Sequence, residues 1–154
     1  MENAVLETFR PLLEAARELD LADPAAAEAV LTRRLDPRGP EAEKLNAELV
    51  RLLEEGSIAN RGELPVRWGR VAKPGPETDQ YSIDVVYMNG AGPRHRHPGG
   101  EIDYCVALEG DPRFDGREAG WVVLPEDSVH VPTVEGGSML IVYLLPGGAI
   151  EFLS

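Results

Sequence analysis

The spacing of apolar residues changes near residue 60, and that break constrains the fold more than any other feature of the chain. Before it, Val5, Leu6, Phe9, Leu12, Leu13, Ala16 and Leu19 fall on one stripe, the signature of an amphipathic helix. Pro11 interrupts the stripe, which predicts a kink or a helix restarting there. Asp23-Pro24 reads as an N-cap followed by proline at the first helical position, so a second helix starts there and ends before Asp36-Pro37. A third starts near Pro40, buries Leu45, Leu49, Leu52 and Leu53, and stops at Gly56. After residue 60 the pattern becomes short strands separated by Gly, Pro and Asp turns, with candidates at 64–72, 80–88, 101–108, 119–124, 129–133, 138–145 and 149–153. Met139 to Leu145 reads as a central strand buried on both faces. The expected fold is mainly β: a helical segment of about three helices over residues 1–60, then a small barrel over 61–154.

Charge and cysteine usage narrow the partners. A formal net charge of -12 is wrong for a nucleic-acid surface or an anionic membrane, both of which need clustered Lys and Arg. The longest apolar run is far too short to span a bilayer, and Glu2 stands where a signal peptide needs positive charge. Cys105 is the single cysteine, so no intramolecular disulfide forms. The expectation is a cytoplasmic protein acting on a small molecule, paired as a homodimer through strand edges.

All three histidines lie between residues 95 and 130. In His95-Arg96-His97 the outer residues share one face of an extended segment and aim two imidazoles at one point. The turn Pro98-Gly99-Gly100 returns the chain so that Glu101 faces the same interior, and His130, behind the turn Pro125-Glu126-Asp127, supplies a third imidazole. Three imidazoles and a carboxylate suit one divalent transition metal (Fe, Mn, Zn, Ni or Co) and leave coordination positions open for chemistry. Alternation places Glu101, Asp103 and Cys105 on one face of the following strand, with Ile102, Tyr104 and Val106 on the other. Cys105 reads as a small core residue; Tyr104, Tyr143 and Trp121 read as core rather than as a substrate platform.

These residues resemble the cupin superfamily. Its first motif corresponds to Gly90 through Gly110, with His95, His97 and Glu101 in the ligand positions, and its second to Gly120 through His130. Asp127 stands at the usual turn glycine and Val134 at the usual terminal asparagine; these departures touch loop shape and leave the four ligand positions intact. A closer likeness is to the 4-hydroxylaminobenzoate lyase family. It rests on Tyr81-Ser-Ile-Asp-Val-Val, Gly100-Glu-Ile-Asp-Tyr-Cys105, Gly120-Trp-Val-Val, His130-Val-Pro-Thr-Val134 and Leu145-Pro-Gly-Gly-Ala-Ile150.

The resemblance implies conversion of a carboxylated aryl hydroxylamine to protocatechuate and ammonia, with the metal as Lewis acid toward the N-hydroxyl oxygen or toward water. A proton shuttle is then needed, and Asp103 is the candidate; holding a ligand histidine is an equally good role for it. The benzoate carboxylate needs a cation. Alternation turns Arg94 and Arg96 away from the histidine face, leaving Arg67 or Arg70. Two other readings share the donor set: an Fe(II)-dependent dioxygenase acting on a small aromatic or thiol substrate, and a non-enzymatic ligand-binding barrel.

Overall fold

The computed structural model describes residues 2–153. Three helices come first: α1 (Glu2–Ala15), α2 (Pro24–Arg34) and α3 (Pro40–Glu54). α1 runs through Pro11 as one element, so the expected restart does not occur. The buried stripe on both sides of the proline, Phe9, Leu12, Leu13 and Ala16, holds the two halves against a common surface. α2 begins as expected, with the Asp23 carboxylate accepting the Ala26 N–H. α3 ends in a Schellman arrangement: Ser57 N–H reaches Leu52 O, Gly56 N–H reaches Leu53 O, and Gly56 takes φ +79°.

The strands are β1 (Arg61–Glu63), β2 (Val66–Ala72), β3 (Tyr81–Met88), β4 (His95–His97), β5 (Glu101–Phe114), β6 (Gly120–Leu124), β7 (Ser128–His130), β8 (Val134–Pro146) and β9 (Glu151–Phe152). They form a six-stranded antiparallel sheet, ordered β1-β2-β3-β8-β5-β6, and a three-stranded sheet, β7-β4-β9. The result is the small cupin-type barrel with a helical prelude. β8 sits between β3 and β5 and is buried on both faces from Met139 to Leu145, as its unbroken apolar run requires.

Two strands are longer than the sequence suggests. Gly110, Gly136 and Gly137 look like strand ends but lie beside bulges, where β5 and β8 shift register on either side of the Gly110–Gly137 pair and continue. A Cβ on Gly137 would overlap the Glu109 carbonyl oxygen, and one on Gly110 would overlap that of Gly136. β1 and β4, at three residues each, are too short for a periodic signal.

The large sheet divides the core. One face carries Ile83, Val85, Ile102, Tyr104, Val106, Trp121 and Leu140, packed with the helical residues Phe9, Leu12, Leu31 and Leu49 in one continuous cluster. Three aromatic side chains on this face each give their polar end to a helix. Tyr81 Oη donates to Ala16 O at 2.9 Å, just past α1; Trp121 Nε1 donates to Leu35 O at 2.9 Å, at the end of α2; Tyr104 Oη donates to Asn46 Oδ1 at 2.7 Å, within α3. Glu28 of α2 accepts the N–H of Val123 at 2.9 Å, covering the β6 edge. The opposite face carries Val86, Met88, Cys105, Phe114, Val122, Ile141 and Tyr143, and looks into the barrel. Among the described residues no helix is long and apolar enough to cross a membrane.

Candidate metal centre and active site

The site forms where the chain passes from the small sheet to the large one. β4 pairs antiparallel with β7, and the register sets His95 directly opposite His130. Both adjoining turns close on one acceptor, because Gly100 N–H and Asp127 N–H each donate to the His97 carbonyl, at 3.0 and 2.9 Å. Gly100 takes φ +81°, and a Cβ there would lie 2.9 Å from Leu124 O, so the turn that delivers Glu101 needs glycine. Asp127 takes φ +62° in the matching turn before β7; aspartate tolerates that conformation, which accounts for its standing at a glycine position.

The turns bring His95, His97, Glu101 and His130 together, with one potential ligand atom from each lying within 4.8 Å of all the others. His95 Nε2 is 2.9 Å from His130 Nε2; Glu101 Oε1 is 2.8 Å from His130 Nε2, and Oε2 is 3.1 Å from His97 Nε2. Glu101 and His97 are fully buried, yet both carboxylate oxygens and both His97 ring nitrogens lack a well-formed hydrogen bond. Burying such groups unpaired is costly, and a cation among them removes the cost. The donor set therefore fits a divalent transition ion: neutral imidazole and carboxylate, convergent, with open valences.

On protein groups alone, electrostatics put His95 and Glu101 in their ligating forms and leave His130 to exchange a proton for the ion. Burial, then the neighbouring His97, lowers the His95 pKa to about 4, so His95 is a neutral ligand at pH 7. Burial works against ionisation of Glu101, but the imidazoles of His130 and His97 outweigh it and hold the carboxyl below its usual range. Burial also opposes a charge on His130, and the hydrogen-bonding carboxylates of Asp115 and Glu101 overcome it, raising its pKa to about 9.

Asp103 shares the inward face with Glu101 and Cys105, while Ile102, Tyr104 and Val106 face the helices. Its carboxyl is wholly enclosed and, like Glu101, without a hydrogen-bond partner. Burial first, and the Glu101 charge second, push its pKa well up. Burial likewise pushes the Cys105 thiol up, the behaviour of a core residue.

A cavity of about 270 Å³ borders His95 and runs between Val86, Met88, Tyr143, Leu145 and Ile150 to Trp68, Phe152 and Arg70. Trp68 and Phe152 are 47% and 65% exposed and form part of its rim. The two arginines expected to serve a carboxylate part here. Arg70 borders the cavity, with Nε and Nη2 bonded to Asp84 at 2.7 and 3.3 Å; among the described residues Nη1 has no partner. Arg67 points to the opposite, helix-covered face, where Nε donates to Ala59 O and the guanidinium stacks 5.4 Å from the Tyr87 ring centroid. Positions i and i+3 of a strand face opposite ways, so the pair cannot act on one ligand. Arg96 turns outward to Asp127 and Glu151, as alternation requires. Asp103 does not line the cavity.

Tyr143 is a core residue, as read, and it also borders the cavity, 6.3 Å from the His97 ring. Tyr104 and Trp121 are core residues under the helices, as read. Sequence reasoning missed Asp115, whose Oδ2 accepts from His130 Nδ1 at 2.6 Å. Locally Asp115-Gly116 is a sufficient turn signal, and nothing in the sequence ties it to a histidine fifteen places on.

Comparison with known proteins points to one family. The family model of PnbB, 4-hydroxylaminobenzoate lyase, matches residues 11–152. A 4-hydroxylaminobenzoate lyase of Pseudomonas putida is 29% identical over 136 residues, covering 74% of this chain and 77% of that protein. One from Nocardioides sp. (strain LMS-CY) is 33% identical over 94 residues, and that match spans about half of each chain, 56%. Among solved structures, an RmlC-like cupin protein from Ralstonia eutropha superposes with a TM-score of 0.45 at 22% identity, covering 60% of this chain and 62% of that one. With the family model spanning nearly its whole length, this chain belongs to the 4-hydroxylaminobenzoate lyase family.

Proposed function

We propose that this chain is a metal-dependent lyase converting 4-hydroxylaminobenzoate, or a similar aryl hydroxylamine, to protocatechuate and ammonia. One observation carries the reading: in a chain of this family, His95 of a three-histidine, one-glutamate donor group also borders an apolar cavity that has an arginine on its wall. A divalent ion held by His95, His97, Glu101 and His130 would supply Lewis acidity toward the N-hydroxyl oxygen or an attacking water.

The remaining work falls to the protein. Arg70 offers its unpartnered Nη1 to the benzoate carboxylate, while Asp84 holds the guanidinium in place. Val86, Tyr143, Leu145 and Ile150 enclose the aromatic ring and exclude water; the cavity lies at the small end of ligand pockets, suiting a single-ring compound. Asp103 is enclosed beside Glu101 and does not reach the cavity, which favours support of the Glu101 carboxylate over direct proton exchange with substrate. In the net reaction the N–O and C–N bonds break, two ring carbons carry hydroxyls and nitrogen leaves as ammonia. One water balances the atoms, and no external oxidant is needed. The proposal extends to a cytoplasmic homodimer.

Metal-loaded protein incubated anaerobically with 4-hydroxylaminobenzoate should release ammonia and protocatechuate in equal amounts. Turnover that requires and consumes oxygen would replace this reading with the dioxygenase one. No turnover by fully metallated protein would refute the lyase assignment.

A further inference from the structure

His130 is the least enclosed of the four candidate ligands. Its side chain is 14% exposed, against full burial for His97 and Glu101, and it stands on the three-residue strand β7 at the edge of the small sheet. Packing alone does not hold such a ring at one angle, and a metal ligand a few tenths of an ångström out of place binds poorly.

We propose that Asp115 is the positioning residue for His130, holding its ring so that Nε2 faces the other three donors. The inference rests on the metal-site reading above. Asp115 is itself locked from three sides. Phe114 and Arg117 exchange backbone hydrogen bonds of 2.8 Å in each direction, closing a two-residue hairpin turn in which Asp115 and Gly116 take φ +50° and +81°. Asp115 N–H donates to Thr133 O at 2.8 Å, and Asp115 Oδ1 accepts the Thr133 N–H at 2.9 Å. That leaves Oδ2 facing His130 Nδ1 at 2.6 Å. A carboxylate only accepts, so Nδ1 carries a proton toward Asp115, and Nε2 is the ring nitrogen left for a cation to take. Nε2 is also the atom that faces His95 Nε2 and Glu101, so the orientation Asp115 sets is the one ligation needs.

Asp115→Asn isolates this role. Asparagine tolerates the positive φ of the turn, and its side-chain oxygen keeps the Thr133 N–H bond. Its amide NH2 then faces His130 Nδ1, forcing the proton to Nε2 or the ring to rotate. Competition with a chromophoric chelator, using Zn(II) and Co(II), should show affinity about 10- to 100-fold below wild type. In a His130→Ala background the same substitution should change nothing further. In metal-free protein, proton NMR should show the His130 Nδ1 proton far downfield, in its hydrogen bond to Asp115, in the wild type, and that resonance should be lost in Asp115→Asn. Unchanged affinity in the single variant, an equal loss in the His130→Ala background, or the same downfield Nδ1 resonance retained in the variant would each overturn the proposal. A wild type that takes up neither metal would sink the metal site instead, while the NMR result would still decide whether Asp115 governs the His130 ring.

Discussion

Metal addition should raise the unfolding temperature, by an amount the site's geometry makes calculable. The four donors are preassembled by backbone turns in the folded chain and scattered over 36 positions in the unfolded one, from His95 to His130, so a divalent ion would bind the native state alone. At free metal a hundredfold above Kd, linkage stabilises the fold by about 2.7 kcal/mol. For a chain of 154 residues, roughly 2–4 °C per kcal/mol converts this to a rise of about 5–11 °C. His97→Ala removes a fully buried ligand, and losing even an outer-sphere partner costs about 10- to 100-fold in affinity. At a hundredfold loss, the same metal concentration equals Kd, and the stabilisation falls to about 0.4 kcal/mol, or ~1–2 °C. The assay is scanning calorimetry on chelator-stripped protein, titrated separately with Mn(II), Fe(II), Co(II), Ni(II) and Zn(II). An unshifted transition with all five ions, or a full-sized shift in His97→Ala, would refute the argument.

Arg70→Ala should raise KM for a benzoate substrate by roughly 10- to 150-fold, the equivalent of about 1.5–3 kcal/mol for a charge-assisted hydrogen bond, with a smaller change in kcat. Arg67→Ala, on the opposite face of the sheet, should leave KM unaltered; steady-state kinetics of both variants check the assignment. Asp103→Asn should retain its metal and keep kcat within about tenfold, because an enclosed group acting through Glu101 lies below the ~10²–10⁴-fold contribution of a direct proton donor. A larger loss with metal retained, measured by elemental analysis beside turnover, would restore Asp103 to proton transfer. Leu49→Ala, at a wholly buried position shared by α3 and the sheet, should cost about 2–5 kcal/mol of stability in urea unfolding while metal stoichiometry holds. Stability unchanged from wild type would mean that the helices contribute nothing to the barrel's core.

Much of the fold was legible because it is written in local periodicities. The Asp23-Pro24 start, the Gly56 stop and the unbroken run of β8 each need only neighbouring residues to be understood. Reading failed where one residue type has two uses. Gly110, Gly136 and Gly137 were punctuation by composition but flank bulges in fact, since both need a residue without a side chain, and only the partner strand tells them apart. Of the two outcomes expected at Pro11, a kink or a restart, the restart does not occur, because burial of Phe9, Leu12 and Leu13 outweighs the local penalty.

The sequence by itself determined which atoms are available for chemistry: three histidines at strand-and-turn spacing from a glutamate, with alternation sending Glu101, Asp103 and Cys105 to one side. Only the tertiary structure decided which residues attend them. It separated Arg70 from Arg67, drew Tyr143 to the cavity and set Asp115 against His130. The physical reason is range. Side-chain direction follows from a residue's immediate neighbours, whereas the approach of two distant turns depends on sheet order and bulges, which no short stretch of chain encodes.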